Sequence, residues 1–362
     1  MSSRNGEISK AAPLFSIGVT TYDRVELLIQ TLSSILGQTF SDFEIIIGND
    51  NPDRVLSGET LGIHDPRIRF VNKPQNLGEL GNMNSLLAMA RGRYFTWIAD
   101  DDLYAPNFLR EVQAVLSKFD FPLCVYTSYV IGSSVPAEIS VDEEHIFSGR
   151  EFLSLYLAGE LKAIGTMGMF DREYLNNSGG LEDMTGGAMA LYTEYLQIVK
   201  TGLIEKIAYI DAPLIIYRAH EGSWGCRIFD MNLFKKAGEN LSGRSIEIFR
   251  RPELIEDFSQ NLRRFLHRFM FEFIEIARAS PHQSFNDRQL LEYLIFSRKY
   301  VSSLKGSVIY WRAIQCLGRV EAEIFWPFCK RWLSLLAPAK LMRRIAASVS
   351  ARFRRIRSLT HR

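Results

Sequence analysis

A chain of 362 residues, 47% hydrophobic and 23% charged, has the make-up of a globular protein and is too long for one small core, so about two domains are expected. The net charge of +2 leaves only the tail basic: from Ala339 onward stand Lys340, Arg343, Arg344, Arg352, Arg354, Arg355, Arg357 and Arg362 with no acid. Cys124, Cys226, Cys316 and Cys329 lack the spacing of a zinc site or disulfide framework, Met1 to Ala12 lacks the apolar core of a secretory signal, and no apolar run approaches the roughly 18 to 20 residues of a membrane span. A cytoplasmic protein, soluble or peripheral, is expected.

From Pro13 the pattern alternates between strand and helix. Phe15 to Thr20 is predicted as a strand, Val25 to Leu36 as an amphipathic helix with Leu28, Leu32, Ile35 and Leu36 on one face, and Phe43 to Gly48 as the next strand. A polar loop leads to a strand at Ile68 to Val71, a helix at Leu80 to Ala90 and the aromatic, β-branched strand Tyr94 to Ala99. Near-continuous apolar strands separated by helices predict an α/β fold with a mostly parallel sheet covered on both faces. Pro106 then fits the first turn of a helix carrying Phe108, Val112, Val115 and Leu116, and Leu123 to Val130 reads as a strand. Ile131 to Arg150 reads as loop, Glu151 to Leu157 as helix and Met167 to Phe170 as a short strand. The glycine-rich stretch Ser178 to Gly187 either forms a mobile lid or only makes turns. Ala190 to Lys200 is predicted as a helix capped by Gly202, and Ile207 to Tyr217 as two short strands broken by Pro213. After a boundary near Gly225 to Asp230 the periodicity is helical only, with Leu262, Phe265, Leu266, Phe269 and Phe273 as a packing stripe.

Three consecutive carboxylates, Asp100-Asp101-Asp102, follow the strand Tyr94 to Ala99, at the end where open α/β sheets hold ligands. Adjacent carboxylates repel one another, so they either splay into water or share a cation. Hard oxygen donors suit Mg²⁺ or Mn²⁺, and a Mg²⁺ site usually takes one or two carboxylates plus substrate phosphates. The triplet therefore reads as a metal–diphosphate site, with a solvated acidic turn before the next helix as the alternative.

Several runs in order resemble family 2 glycosyltransferases of the GT-A fold. They are Phe15-Ser16-Ile17-Gly18-Val19-Thr20-Thr21-Tyr22-Asp23-Arg24, then Ser34-Ile35-Leu36-Gly37-Gln38-Thr39-Phe40-Ser41-Asp42-Phe43-Glu44-Ile45-Ile46-Ile47, then Asn49-Asp50. Asn76-Leu77-Gly78, Asn84, Ala90-Arg91-Gly92-Arg93-Tyr94 and the triplet with Pro106 continue it, and weaker matches follow at Gly179-Gly180-Leu181, Pro213-Leu214 and Tyr217-Arg218-Ala219-His220. The resemblance spans about Pro13 to Gly225. It implies a Rossmann-like GT-A domain and an inverting, metal-dependent transferase that uses a nucleotide sugar.

Carried onto this sequence, the resemblance puts the metal contact on Asp101, with Mn²⁺ or Mg²⁺ as the ion. Ala99 stands in place of the first acid of the family's Asp-x-Asp motif, which moves the ribose contact to Asp100 or Asp102. Asp50 falls where an acid accepts a hydrogen bond from the base, which suits the N3–H of uracil or thymine, with a UDP-linked donor expected, and Thr20 and Tyr22 fall in the base-binding turn. A turn-forming role for Asp50 and a packed ring for Tyr22 are the alternatives. Inversion needs a base on the far side of the sugar; Glu194 matches that position, with Glu182 and Asp183 as nearby rivals. His220 is placed over the diphosphate or on the metal.

The expected layout is a disordered segment at 1–12, a GT-A domain at 13–228, a helical domain at 229–338 and a basic amphipathic helix at 339–362. Leu341, Ile345, Val349, Phe353 and Ile356 form one helical face among arginines, a pattern that suits an anionic membrane surface and places the protein on the cytoplasmic face. The expected acceptor is a saccharide or lipid-linked saccharide of cell-surface polysaccharide or glycolipid synthesis; no nucleic-acid module is present upstream. The competing reading is an inactive, nucleotide-binding GT-A-like scaffold of a membrane-associated assembly.

Overall fold

The computed structural model of the chain describes residues 12–134, 138–187, 189–218 and 230–271. Its first half follows the predicted alternation: β1 (Phe15–Thr21), α1 (Val25–Leu36), β2 (Phe43–Asn49), a one-turn α2 (Gly58–Leu61), β3 (Ile68–Asn72), α3 (Gly78–Met89) and β4 (Tyr94–Ala99). Every residue of β2 is buried, as are all but one of β1 and of β4, which is why these strands carry near-continuous apolar runs. Leu28, Leu32 and Ile35 of α1 are wholly buried against one face, each contributing roughly 1.5–3 kcal/mol of burial. On α3, Asn82 donates from Nδ2 to the Gly48 carbonyl at 2.7 Å, and a Cβ on Gly48 would lie 2.2 Å from the Asn82 amide oxygen, so helix and strand approach through a glycine.

The second half contains β5 (Leu103–Tyr104), α4 (Phe108–Lys118), β6 (Cys124–Ile131), β7 (Glu144–Phe147), α5 (Gly149–Ala158), β8 (Met169–Asp171), α6 (Arg172–Asn177), α7 (Thr193–Thr201) and β9 (Ile207–Tyr217). It is followed by α8 (Met231–Phe249) and α9 (Phe258–Phe265), the latter continued by a π-turn at Leu266–Phe271. The nine described strands form one sheet in the order β3-β2-β1-β4-β8-β6-β9-β5, with β7 also on β9. Ladders β3–β2–β1–β4 and β6–β9 are parallel; β8 runs antiparallel to both β4 and β6, and β5 and β7 run antiparallel to β9.

Several sequence expectations are corrected here. The stretch Ile131 to Arg150 is not all loop, because β7 pairs there along β9. Ile207 to Tyr217 is one strand, yet its pairing with β6 jumps from Thr127↔Ile210 to Tyr129↔Ile215, and Pro213 lies in that jump where no ladder donor is needed. Gly202 does cap α7 but with a right-handed φ of −56°; a Cβ there would lie 2.6 Å from Leu153 Cδ2, so close packing is what requires glycine. Contacts join α8 to the residues before the expected boundary of 228/229. Arg244 of α8 pairs with Glu182 at 2.8 Å, Asn240 donates to the Met184 carbonyl, and the compact unit runs through Phe269. The tail helix at 339–362 and most of the helical C-terminal region lie outside the described residues.

Candidate active site

Parallel register sets the site. Thr20 pairs with Ala99 and Thr21 with Asn49, so the carboxyl ends of β1, β2 and β4 finish together. The Asp50 and Asp100 amides donate to the Thr21 and Thr20 carbonyls at 3.1 Å, which carries the alignment one residue past the strands and sets the two acids on either side of β1.

The triplet is not a solvated turn. Asp100 is 0%, Asp102 2% and Asp101 8% exposed, so all three carboxylates are desolvated and Asp101 is the most open. Asp100 takes the Thr21 hydroxyl on Oδ2 at 2.6 Å and Arg24 Nη2 on Oδ1, and Arg24 Nη1 donates to Asp101 Oδ2 at 2.7 Å. Burial pushes Asp100 up to about 6 against the opposing pull of Arg24. Asp102 turns inward: its Oδ1 accepts the Arg218 amide at 2.9 Å, and burial, then the charge of Asp101, push it up to about 8. Arg218, 7% exposed, fixes the turn from beneath by donating to the carbonyls of Asp101 and Asp100, to Gln30 Oε1 and to Thr31 Oγ1. The Thr31 hydroxyl lies 2.8 Å from both the Asp100 and Asp102 carbonyls.

Asp50 is buried, and its Oδ1 accepts the Leu77 amide at 2.8 Å. Burial raises its pKa, while the Leu77 and Gly78 amides and the Lys73 charge oppose. The Leu77-Gly78 peptide reaches it because Gly78 takes a φ of +73° and bonds back to Asn76 Oδ1 at 2.7 Å. Thr20 is half-buried at the end of β1, and Tyr22 is 52% exposed, so the packed-ring alternative for Tyr22 is excluded.

Glu194 lies in the first turn of α7, as the sequence predicts. Desolvation, then the Glu79 carboxylate, push it up to about 7. Glu79, in the first turn of α3, has its own pKa raised by desolvation first, and the charges of Asp101, Arg24 and Asp100 also act on it. Glu79 is thus within electrostatic reach of both the triplet and Glu194. Both rivals to Glu194 are occupied: Glu182 pairs with Lys200 at 3.0 Å and Arg244 at 2.8 Å, and Asp183 Oδ1 accepts the Thr185 and Gly186 amides and the Thr185 hydroxyl. The same bonds anchor the glycine-rich loop, and Asn84 exchanges two hydrogen bonds with Leu181 at its near end. His220 lies outside the described residues.

No group of three or more His, Cys, Asp or Glu side chains forms a metal cage among the described residues. The donor set fits the other kind of Mg²⁺ or Mn²⁺ site, in which one or two carboxylates hold the ion and phosphate oxygens complete it. Asp100 and Asp101 already share one positive group, the Arg24 guanidinium, between them.

A family model described as glycosyl transferase family 2 matches residues 16–179, the stretch that contains β1 to β8, the triplet and Asp50. Over that stretch, a little under half of its length, the chain is similar to glycosyl transferase family 2. The putative colanic acid biosynthesis glycosyl transferase WcaA of Escherichia coli K12 is 35% identical over 156 residues, 41% of this chain and 56% of that protein. The GalNAc(5)-diNAcBac-PP-undecaprenol beta-1,3-glucosyltransferase of Campylobacter jejuni is 27% identical over 212 residues, 57% of this chain and 65% of that one. The chain thus spans less than two thirds of the length of either relative. Among solved structures, S. aureus TarS 1–349 in complex with UDP-GlcNAc aligns with a TM-score of 0.55 at 12% identity, over 87% of this chain and 91% of that one; the likeness establishes a shared GT-A fold.

Arg24, Glu79 and Arg218 are residues whose place in the site sequence reasoning missed. Arg24 and Arg218 stand inside the runs that carried the family resemblance, and Glu79 directly follows one, which is the signal that was present. Other residues of those runs prove structural. Gln38 bridges the Ala105 carbonyl and the Leu109 amide, and Arg91 pairs with buried Glu44 at 2.7 Å.

Proposed function

We propose that this chain is a family 2 glycosyltransferase, inverting and divalent-metal-dependent, that moves one sugar from a UDP-linked donor to a saccharide or lipid-linked acceptor in cell-surface polysaccharide or glycolipid synthesis. The observation that carries the reading is the division of its carboxylates. Asp100 and Asp101 are gathered about a cation at the end of β4, whereas Glu194 stands apart on α7 with its pKa pushed up to about 7. Support for the acceptor class comes from the relatives' names, one a colanic acid biosynthesis enzyme and the other acting on a PP-undecaprenol-linked saccharide.

In this reading Asp101, the most open of the three acids, holds Mn²⁺ or Mg²⁺ with Asp100 beside it. When bound, the ion would supply positive charge to offset the negative charge developing on the departing diphosphate. Asp50 accepts the base N3–H, Thr20 lines the turn and the exposed Tyr22 ring stacks on the pyrimidine. Glu194 takes the acceptor hydroxyl proton as that oxygen attacks C1 from the face opposite the diphosphate, so the C1–O bond to diphosphate breaks with inversion. A base with a pKa near the working pH suits that step. Asp102, turned onto Arg218, orients the acidic turn, and His220 is assigned to the diphosphate.

The basic stretch 339–362 is assigned to an anionic membrane surface on the cytoplasmic side; among the described residues no helix is long and apolar enough to cross a membrane. The test is incubation of the full chain with Mn²⁺ and a panel of nucleotide sugars, scored for transfer and for slow donor hydrolysis. UDP-sugar turnover that is lost in Asp101→Asn supports the reading. Calorimetric donor binding with no turnover across the panel would return the chain to the inactive scaffold reading.

A further inference from the structure

We infer that Arg24 is a displaceable counter-ion: in the donor-free chain its guanidinium holds the cation position between Asp100 and Asp101, and when a divalent ion arrives it moves off to the diphosphate. The inference rests on the metal–diphosphate reading above and gives a role to a residue that reading leaves out.

The first observation is the bridge. Arg24 Nη2 pairs with Asp100 Oδ1 while Nη1 donates to Asp101 Oδ2 at 2.7 Å, so one planar cation spans carboxylates of two consecutive residues, as a shared metal ion would. Asp100 is 0% exposed, and a buried carboxylate left without a positive partner is strongly disfavoured. Some cation therefore has to stand there whether or not donor is bound.

The second observation is the contrast between the two arginines at the triplet. Arg218 is 7% exposed and its guanidinium is tied to backbone carbonyls and to side chains of α1, which makes it a fixture of the turn. The Arg24 side chain is 29% exposed, and although Arg24 occupies the N-cap of α1 it makes no side-chain cap bond, so its departure costs the helix nothing. Of the two, Arg24 is the one free to swing.

Electrostatics supplies the direction. A guanidinium on two carboxylates leaves the spot net negative, which repels a diphosphate. A divalent ion on the same carboxylates repels the guanidinium at contact range and neutralises the spot, so that Arg24, still nearby, leaves the surroundings net positive. Once released, Arg24 has in the incoming diphosphate an anion whose geometry its fork matches. Ion and donor are thereby coupled through one side chain: each favours the position of Arg24 that the other requires.

The test titrates Mn²⁺ into the nucleotide-free full chain, followed by calorimetry and by loss of the free-ion EPR signal, for wild type, Arg24→Gln, Arg24→Lys and Asp101→Asn. Arg24→Gln is expected to bind Mn²⁺ about tenfold more tightly or better than wild type, since no guanidinium has to be expelled. UDP is expected to tighten Mn²⁺ binding to the wild type, and to do so less in Arg24→Gln. Arg24→Lys keeps the charge but cannot fork across both carboxylates and should fall between the two. A merely structural Arg24 would give unchanged or weaker Mn²⁺ binding on removal, and that result overturns the displacement. If thermal unfolding shows that Arg24→Gln does not fold, Arg24→Lys decides: affinity no tighter than wild type overturns the proposal. Mn²⁺ that binds Asp101→Asn as tightly as wild type overturns the metal reading itself and the displacement with it. Mn²⁺ that depends on Asp101 but not on Arg24 overturns the displacement alone.

Discussion

A glutamate in water is ionised well below neutral pH, whereas Glu194, pushed up to about 7 by desolvation and by the Glu79 carboxylate, holds its proton until the pH nears that value. Only the ionised form can act as base, so the transfer rate is expected to rise with pH through about 7, read from a pH–rate profile at saturating donor. The effect on folding has the opposite sign. The folded pKa lies above the unfolded value of 4.5, so the stability Glu194 contributes is complete below 4.5 and is lost as pH rises through about 7. Glu194→Gln, permanently neutral, is therefore expected to abolish transfer, spare donor binding and melt at a higher temperature than wild type at about pH 8, the difference closing toward about pH 5. Thermal unfolding at both pH values beside a transfer assay checks all three outcomes. The places of Asp101, Asp50 and Glu194 in the fold were legible in the sequence because an acid at a strand end or in a first helical turn has few positions to occupy. Arg24, Glu79 and Arg218 were not, because their partners lie 77, 111 and 117 residues away and nothing in the local sequence ties such a charge to a distant buried group.

Among the elements, the approach of the turn Gly165–Met167 to α7 fixes Glu194. A Cβ on Gly165 would stand 1.9 Å from the Glu194 carbonyl oxygen, so Gly165→Ala must push the turn and the first turn of α7 apart. Overpacking of this kind costs about 1–3 kcal/mol; denaturant unfolding should show that loss, and transfer should fall further than the folded fraction at the assay temperature. Arg218→Ala removes the staple between the end of β9, the turn after β4 and α1. Loss of one buried charged partner here is expected to destabilise by on the order of 3 kcal/mol, read from the same denaturant curves. The long elements were legible because burial on both faces forces continuous apolar runs, as in Phe43–Asn49. The short ones were not: β5 has two residues and β7, Glu-His-Ile-Phe, alternates too briefly to show a period, so their pairing is imposed by the neighbouring β9. Pro213 signalled a real discontinuity, and the sheet absorbs it as a register jump rather than a strand end.

For the whole molecule, the parallel half places the proposed donor site at the converging ends of β1, β2 and β4, and the mixed half contributes Arg218 from the end of β9. If the basic stretch from Ala339 holds the chain on a membrane, the full chain should co-sediment with vesicles rich in anionic lipid. A truncation ending at Pro338 should not, and the binding should weaken as salt rises. Binding that survives the truncation would remove the tail from that role. The three-residue β8, antiparallel to β4 on one side and β6 on the other, is the single seam between the two halves of the sheet. During translation β1 to β4 can associate as soon as they leave the ribosome, but the free edge of β4 then stays uncovered until Met169 to Asp171 emerge. The newborn protein thus carries an unpaired, largely apolar strand border for the time it takes to add some seventy residues, and it is over that interval that co-translational chaperones or a slower elongation rate would govern how much of it escapes aggregation.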